Sequence, residues 1–307
     1  MTVALVTHPA CAEYTLPPLY PDQPARLDAI SDQLIASGLE PLLRGVEAAA
    51  ATDDRITAVH APEYLARLEH SLPQEGWTPL DGDTLLAPRS LAAARGAAGA
   101  ALRAMELTLA GEAEAAFALT RPPGHHAGRA SARGFCLLNH AALAARHALR
   151  HPGTDRVAIV DFDAHHGDGT ESLVWEEPGL LFLSLFQEGG FGAPSGTGPG
   201  NAVRLPLPPR ATGRELRALA RQRLLPALEG FRPDLLLFSA GFDGHAEEDL
   251  ADLRLLERDY AWLVRACRAA AGADGPPPTA LVLEGGYVPR VLGRCVTEVV
   301  RALLGPA

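Results

Sequence analysis

The sequence contains no lysine, so all 27 of its basic side chains are arginine. This composition indicates a GC-rich coding sequence and says little about function. The arginines are outnumbered by 37 acidic residues and are spread thinly along 307 residues, which gives a formal net charge of -10. Because nucleic-acid binding needs clustered cations that neutralise phosphates, this balance argues against a nucleic-acid partner. An acidic surface attracts cationic ligands instead.

Cysteine is scarce, and long apolar runs are absent. The four cysteines show no CxxC spacing and are too few for a disulfide framework, so we expect reduced thiols and no zinc held by thiolates. The opening run 3–7 fits a strand better than a signal peptide. Alanine-rich stretches such as 91–110 carry charges before about 18 apolar residues accumulate, so no membrane span is predicted. We expect a soluble, cytoplasmic protein.

Internal repeats and low-complexity tracts are also missing, which indicates one domain over residues 1–307. From about residue 88 onward, helical apolar periodicity alternates with short strand-like runs. The predicted helices cover 88–110, 138–150, 212–229, 252–271 and 288–304. The predicted strands cover 3–7, 114–119, 156–161, 180–184, 234–239 and 279–284. The Gly/Pro-rich pieces 188–200, 205–210 and 272–278 are predicted to be loops.

Several predicted strands, such as 234–238, are apolar on both faces and therefore need helices on both sides. The alternation predicts an α/β domain of three layers with a mainly parallel central sheet and right-handed crossovers. In such sheets the ligand site lies outside the carboxyl ends of the strands. The segments that follow four of the strands are unusually polar: 120–126, 161–169, 240–245 and 284–287.

The histidines and carboxylates of these segments imply a metal site. Asp163 and His165 stand two apart in an extended segment, which directs both side chains to the same side. Asp243, from another strand end, would complete an Asp/His/Asp site with an open position, as in catalytic zinc centres. Two carboxylates leave iron(II), cobalt or manganese as alternatives to zinc.

A metal in this site would lower the pKa of a bound water to about 7 and would polarise a carbonyl. His125 and His126 are the candidates for the base that takes the proton of the water. Asp161 and Asp168 are the carboxylates left to fix their tautomers, and spacing alone does not assign the pairs.

Tyr287 follows two glycines at the last strand end and is suited to donate a hydrogen bond to a developing oxyanion. Gly285 and Gly286 permit the tight turn that would present it. Arg121 is expected to pair with a carboxylate in its own turn rather than to touch substrate.

The other histidines have simpler interpretations. His166 and His245 neighbour the proposed ligands and are expected to make supporting hydrogen bonds rather than metal contacts. The rest are expected at the surface or in packing: His8, His60, His70, His140, His147 and His151.

Five motifs occur in the order typical of the zinc-dependent histone deacetylases, a family that also contains acetylpolyamine amidohydrolases and acetoin-utilisation proteins. The resemblance spans nearly the whole chain and implies the arginase/deacetylase-like fold. The Arg-Pro-Pro-Gly and Leu-Glu-Gly-Gly-Tyr forms resemble the class II branch and its bacterial relatives. The motifs are 121–127, 134–136, 161–169, 239–243 and 283–287.

The resemblance implies one zinc ion bound by Asp163, His165 and Asp243. Family members also hold a structural potassium ion near the zinc. Here its ligands would be Asp161, Ser184 and the backbone carbonyls of Asp163, His165 and Leu185.

The same resemblance implies roles for the remaining polar residues. His126 would act as general base and then acid, with His125 as its electrostatic companion. Asp161 should hold His125 and Asp168 should hold His126, while Tyr287 and the metal share the oxyanion.

Phe135 would form one wall of an acyl-lysine tunnel, and either Phe186 or Phe191 could form the second wall. Relatives carry a different pattern in the loop 186–198 and a His-Pro-Glu-Arg opening where this chain has 20–27, and His140 stands where Asn or Asp is common. We expect these departures to affect the rim and entrance rather than the metal or the base. The residues assigned to substrate are Gly134, Phe135, Leu250 and Gly285.

The leading hypothesis is hydrolysis of an N-acylated primary amine, either the side chain of an acylated lysine in a peptide or protein or a small acylated amine. Acetylpolyamine is the nearest rival, since its extra ammonium would favour a carboxylate at the mouth. Leu250 stands where polyamine-preferring relatives place a gatekeeper Glu, which favours lysine. The neighbouring carboxylates of 247–249 leave the question open.

The sequence also raises two further hypotheses. A binuclear manganese ureohydrolase is suggested by Asp163-Ala164-His165, but Gly167 stands where such enzymes need another Asp. One metal ion per chain would support the deacylase and two the ureohydrolase. A catalytically silent module that binds acylated ligands would not need Tyr287 and both adjacent histidines.

Overall fold

A single sheet organises the part of the chain that this computed structural model describes, which is residues 2–175, 177–194, 200–272 and 275–305. The strands are β1 (Val3–Thr7), β2 (Leu43–Glu47), β3 (Thr78–Pro79), β4 (Leu85–Leu86), β5 (Ala115–Ala118), β6 (Val157–Asp161), β7 (Leu180–Gln187), β8 (Ala202–Leu207), β9 (Leu235–Ala240) and β10 (Thr279–Leu283). Eight of the described strands join in the order β2-β1-β5-β10-β9-β6-β7-β8, and β3 and β4 form a small antiparallel pair. Every pairing in the large sheet is parallel, which confirms the predicted architecture.

Helices cover both faces of this sheet because its strands are apolar on both faces. Leu236 and Phe238 of β9 enter one half of the core, and Leu235 and Leu237 enter the other. This alternation is the two-residue period of a strand. The described helices are α1 (Ala25–Ala36), α2 (Asp53–Ile56), α3 (Pro62–His70), α4 (Ser90–Leu109), α5 (His140–Ala148), α6 (Asp168–Val174), α7 (Gly213–Leu219), α8 (Leu225–Phe231), α9 (Glu257–Ala271) and α10 (Pro289–Leu304). α1, α9 and α10 contribute to the first half of the core, and α3, α4 and α5 contribute to the second.

Several predicted boundaries need correction. The predicted helix 212–229 is divided by a π-helical turn at 220–224, and the predicted helix 252–271 begins only at Glu257. The predicted loop 205–210 is wrong in its first half, because β8 continues to Leu207. Pro206 fits there since β8 is an edge strand, which tolerates a missing backbone donor. Parts of two other predicted loops, 195–199 and 273–274, lie outside the described residues.

The register of the strands places the polar segments at one level. Asp161, the last residue of β6, is paired with Ser184 of β7 on one side and Ser239 of β9 on the other. Leu283 ends β10 opposite Ala240 of β9. Because parallel strands end at the same edge of a sheet, the segments that follow them open onto one crevice.

Candidate active site

Asp163, His165 and Asp243 offer three ligand atoms that lie within 4.8 Å of one another. Nδ1 of His165 is 2.8 Å from Oδ2 of Asp243 and 3.1 Å from Oδ1 of Asp163. The two aspartates are buried, and His165 is partly exposed toward a cavity. Asp163 and His165 thus lie together as predicted, although residues 163–165 form a bend after β6 rather than the extended segment that was expected.

The donor set fits a divalent cation. Among the described residues, Oδ2 of Asp243 is buried without a hydrogen-bond partner, although it faces the imidazole of His165. Burial and the nearby Asp163 carboxylate raise the pKa of Asp243, because two negative charges are held together out of water. Burial opposes protonation of His165, but the carboxylates of Asp243 and Asp163 outweigh it and raise its pKa to about 11. A bound cation would relieve this concentration of negative charge.

His125 and His126 lie side by side, with their ring centres 4.0 Å apart. Nδ1 of His125 is 3.0 Å from Oδ2 of Asp161, and Nδ1 of His126 is 2.6 Å from Oδ1 of Asp168. The structure thus brings together the pairs that spacing left unassigned. Each carboxylate accepts a hydrogen bond from Nδ1–H of its histidine, which leaves Nε2 available for chemistry.

The two histidines differ in basicity. Burial and the positive charge of His125 lower the pKa of His126 to about 3. Burial also opposes protonation of His125, but the carboxylates of Asp163 and Asp161 outweigh it and raise its pKa to about 10. In the metal-free protein these shifts keep His126 neutral at neutral pH, so its Nε2 carries a lone pair toward the cavity.

Glu284 explains how adjacent residues can both reach the cavity. Its buried carboxylate accepts hydrogen bonds from the backbone N–H groups of Gly124, at 2.6 Å, and His125, at 3.1 Å, and from the hydroxyl of Ser239, at 2.7 Å. This carboxylate holds the turn before the histidines. Its role is not predicted from the sequence, although Glu284 opens the last polar segment.

Tyr287 is held from two sides. The buried Glu248 carboxylate accepts from the backbone N–H groups of Tyr287, at 3.0 Å, and Val288, at 2.9 Å. On the opposite side, Nε of Arg26 donates to the carbonyl of Gly286 at 2.6 Å, and its guanidinium lies 4.9 Å from the ring centre of Tyr287. Gly286 has a φ of 110°, which glycine adopts without strain.

Gly285 lies against the metal ligands rather than in the cavity wall. Its N–H donates to Oδ2 of Asp163 at 2.9 Å. A Cβ at this position would stand 2.6 Å from Oδ2 of Asp163 and 2.7 Å from Oδ2 of Asp243. Gly285 is not among the residues that line the described cavity, so the expected contact with substrate is not supported.

The segment 20–27 contributes a buried charge cluster behind Tyr287. Oδ1 of Asp22 accepts from Arg26 at 2.8 Å and from Arg121 at 2.9 Å, and all three side chains are fully buried. Asp22 and Arg26 therefore support the turn that presents Tyr287, which lies deeper than the entrance. That the departures in this segment leave the metal and the base unaffected stays a prediction. Arg121 does pair with a carboxylate, but with Asp22 rather than with one in its own turn.

A cavity of about 160 Å³ leads from the surface to the metal ligands. Phe135 forms one side of it, with its ring edge-on to Tyr287 at 5.5 Å. Phe191 also lines the cavity, whereas Phe186 is buried against His166 at 4.8 Å. Phe191 is therefore the second wall. The residues that line the cavity are Asp83, His125, His126, Gly134, Phe135, Asp163, His165, Phe191, Leu250 and Tyr287.

Asp83 is a mouth carboxylate that the sequence analysis missed. Its Oδ1 accepts from the N–H of Gly134 at 2.9 Å and from the hydroxyl of Thr84 at 2.8 Å. Tyr20 donates to the carbonyl of Asp83 at 2.7 Å and packs its ring 4.9 Å from that of Phe135. No sequence motif marks Asp83 or Tyr20, because they reach the cavity through contacts with residues that are distant in sequence.

The remaining predicted side chains lie near the metal ligands without facing the cavity. His166 contacts the Ser184 hydroxyl at 2.9 Å, and Nδ1 of His245 accepts from the N–H of Glu247 at 3.1 Å. The carboxylate of Asp161 is engaged by His125 and by the N–H of Asp163 at 3.1 Å. The potassium site stays a prediction, with the ligands Asp161, Ser184 and the backbone carbonyls of Asp163, His165 and Leu185.

The histone deacetylase domain family matches residues 20–303, and the chain belongs to this family. An uncharacterized protein of Synechocystis, slr0245, is 38% identical and covers 98% of this chain and 99% of its own. The histone deacetylase-like amidohydrolase of Pseudomonas aeruginosa is 35% identical over 93% of this chain and 76% of its own. The crystal structure of the HDA15 HD domain matches with a TM-score of 0.89, 30% identity, and coverage of 99% and 90%.

Membership in this family, together with relatives named as deacetylases and amidohydrolases, makes the chain a hydrolase of amides. Human polyamine deacetylase HDAC10 is 34% identical over 92% of this chain, which spans 44% of that protein. Among the described residues, no helix combines the length and apolar character needed to cross a bilayer.

Proposed function

We propose that this chain is a zinc-dependent deacylase of N-acylated primary amines and that its leading substrate is an acylated lysine side chain. One observation carries the proposal. Asp163, His165, His126 and Tyr287 line one cavity, and Asp243 lies within ligand distance of the first two. Binding alone would need neither a base nor a phenol at that point.

Asp163, His165 and Asp243 would hold the zinc. When bound there, zinc supplies a Lewis acid that polarises the acyl carbonyl and acidifies water. A second group of possible ligands, His125, Cys136 and Glu284, is less suited. Nδ1 of His125 already faces Asp161, and both oxygens of Glu284 accept hydrogen bonds.

His126 takes the proton of the attacking water at Nε2, while Asp168 keeps the other ring nitrogen protonated. The positive charge of His125 favours the negative charge that develops on the substrate. His126 then returns the proton to the amine as it leaves, and the hydroxyl of Tyr287 donates to the acyl oxygen as that oxygen gains charge. Phe135 and Phe191 enclose the apolar stem of the substrate and exclude water.

Lysine is favoured over polyamine by the residues at the mouth. Leu250 lines the cavity and stands where polyamine-preferring relatives place a gatekeeper Glu. Of the carboxylates left open by the sequence, Glu248 is bound to the backbone at Tyr287, and Glu247 pairs with Arg290 and Arg294. Neither is among the described residues that line the cavity.

Acetylpolyamine is the second candidate because of Asp83. This carboxylate lines the cavity, where it could pair with the ammonium of a polyamine. The 34% identity to a relative named polyamine deacetylase supports the same reading.

Specificity constants of the zinc-loaded protein would decide between these substrates. The panel contains acetyl-, longer acyl- and trifluoroacetyl-lysine peptides beside acetylated putrescine and spermidine, with His126→Ala as the inactive control. The proposal expects the highest value for an acyl-lysine. A higher value for an acetylpolyamine would favour the second candidate, and inactivity of the wild type with zinc bound would favour a silent binding module.

A further inference from the structure

Arg133 stands at the base of the tight turn that presents Phe135. The backbone N–H of Cys136 donates to the carbonyl of Arg133 at 2.9 Å, and the N–H of Arg133 donates back at 3.2 Å. The two residues between them, Gly134 and Phe135, both have positive φ, 56° and 68°. This is the geometry of a two-residue type I′ turn. A positive φ is unfavourable for a residue with a side chain, so the backbone at Phe135 is strained. The turn therefore fixes where the Arg133 side chain begins.

The guanidinium of Arg133 binds the carboxylate that orients His126. Nη1 of Arg133 is 2.7 Å from Oδ2 of Asp168, and Oδ1 of the same carboxylate is 2.6 Å from Nδ1 of His126. Asp168 is thus shared between a cation near the surface and the buried imidazole. Its position, and with it that of His126, depends on both partners.

The same guanidinium also covers the second wall of the cavity. Cζ of Arg133 lies 4.6 Å from the ring centre of Phe191, and the ring of Phe191 stands nearly perpendicular to that of His126 at 4.9 Å. A planar guanidinium can offer its edge to a carboxylate and its face to an aromatic ring at once.

The ring of Phe191 is ordered mainly by contacts with other side chains. Its side chain is exposed at the mouth, and it lies between Gly189 and Gly192, which both have a φ of 73°. A ring on a glycine-rich segment gains little order from its own backbone. The contacts with Arg133 and His126 supply it.

We propose that Arg133 is a positioning residue that fastens the Phe191 wall to the Asp168–His126 pair. The inference rests on the proposed deacylase function and adds a determinant of substrate affinity to it. Arg133 touches neither the metal ligands nor the described cavity, so it acts through Phe191 and Asp168. When this link is lost, the wall loosens and the apolar stem of the substrate is held less well.

A double-mutant cycle tests the link. Arg133→Met keeps a side chain of similar length but removes the cation, and it should raise KM for an acyl-lysine peptide about two- to five-fold. In a Phe191→Leu background the same change should leave KM unaltered, because the ring is already absent. Arg133→Lys should keep the wild-type kcat, because its ammonium can still pair with Asp168, but KM should stay raised, since an ammonium lacks the planar face. Arg129→Met, an exposed arginine of the same loop, is the matched control.

A readout without turnover separates this inference from the proposed function. Fluorine NMR of the protein with Phe191→4-fluorophenylalanine should give one resonance in the wild-type background. Arg133→Met should broaden or split that resonance, and Arg129→Met should not. An unchanged resonance in Arg133→Met would overturn the proposed role of Arg133. Additive effects of Arg133→Met and Phe191→Leu on KM would also overturn it. If the wild type proves inactive with zinc bound, the proposed function fails and the fluorine signal alone decides on Arg133.

Discussion

At the scale of single residues, the site depends on polar groups that are each given a definite partner. His126, His125 and Tyr287 could be predicted from the sequence because they stand in short motifs directly after strands. Glu248 and Arg26 could not be predicted, because their partners are backbone N–H and carbonyl groups of the turn before Tyr287. Almost every residue type supplies a backbone N–H and a carbonyl, so such a pairing cannot be predicted from the identity of the partner.

Removal of the Tyr287 hydroxyl tests its catalytic role. Tyr287→Phe should lower kcat on an acyl-lysine peptide by about 10²–10³-fold, as loss of one oxyanion donor does elsewhere. Zinc content should not change, since Tyr287 is not a proposed ligand. Tyr260→Phe is the control, because its buried hydroxyl contacts the carbonyl of Phe242 at 3.3 Å, away from the cavity. Wild-type kcat in Tyr287→Phe would refute the assignment.

Glu248 should make stability fall as pH rises. Burial raises the pKa of Glu248 to about 7, from 4.5 for an exposed side chain. Because the folded state then holds a proton that the unfolded state has released, stability decreases between these two pH values.

Glu248→Gln removes this titration but keeps an acceptor for Tyr287 N–H. In urea unfolding of the metal-free protein, the variant should gain about 1–3 kcal/mol relative to wild type between pH 4.5 and pH 7.5. Glu229→Gln, at an exposed position of α8, should gain nothing. A constant difference between wild type and Glu248→Gln over this range would contradict the prediction.

At the scale of elements, the ends of the parallel strands place the proposed metal ligands. Glycine at position 285 lets the segment after β10 pack closely against them. The alternation of helices and strands predicted the sheet, because strands that are apolar on both faces admit few other folds. β2 and β8 escaped prediction since edge strands are partly exposed and carry weaker patterns, as in Leu43–Glu47. The loop-rich region around Asp83 carries no periodic signal either.

Gly285 packs so closely against the proposed metal ligands that a side chain at this position should disturb them. Gly285→Ala would place a Cβ within 2.6–2.7 Å of oxygens of Asp163 and Asp243, and both ligands would have to move. We expect zinc affinity, measured by competition with a chelator, to weaken by about 10–100-fold. Gly82→Ala meets no atom within 4 Å and should bind zinc like the wild type. Equal zinc affinity of Gly285→Ala and Gly82→Ala would show that the contact is unimportant.

At the scale of the whole molecule, a buried charge cluster joins three remote segments. Asp22 lies between Arg26 and Arg121, and Arg26 reaches the turn at Gly286. Breaking one partner of a buried ion pair leaves a charge without compensation. The cluster therefore supports both the stability of the fold and the turn that presents Tyr287.

Asp22→Ala should lower the free energy of unfolding by about 3–5 kcal/mol, because two buried guanidinium groups lose their carboxylate. Asp32→Ala, on the exposed face of α1, should change it by less than about 0.5 kcal/mol. Urea unfolding of the two variants checks this. Similar stability of both would mean that water or other groups compensate the arginines.

The account as a whole requires one metal ion at Asp163, His165 and Asp243, and hydrolysis that depends on it. The most direct test is to add zinc stepwise to the metal-free protein and to follow the rate of acyl-lysine hydrolysis. The rate should rise linearly and stop rising at one equivalent per chain, and Asp243→Asn should stay inactive throughout. A break at two equivalents, or no hydrolysis of any acylated amine at full occupancy, would contradict the account.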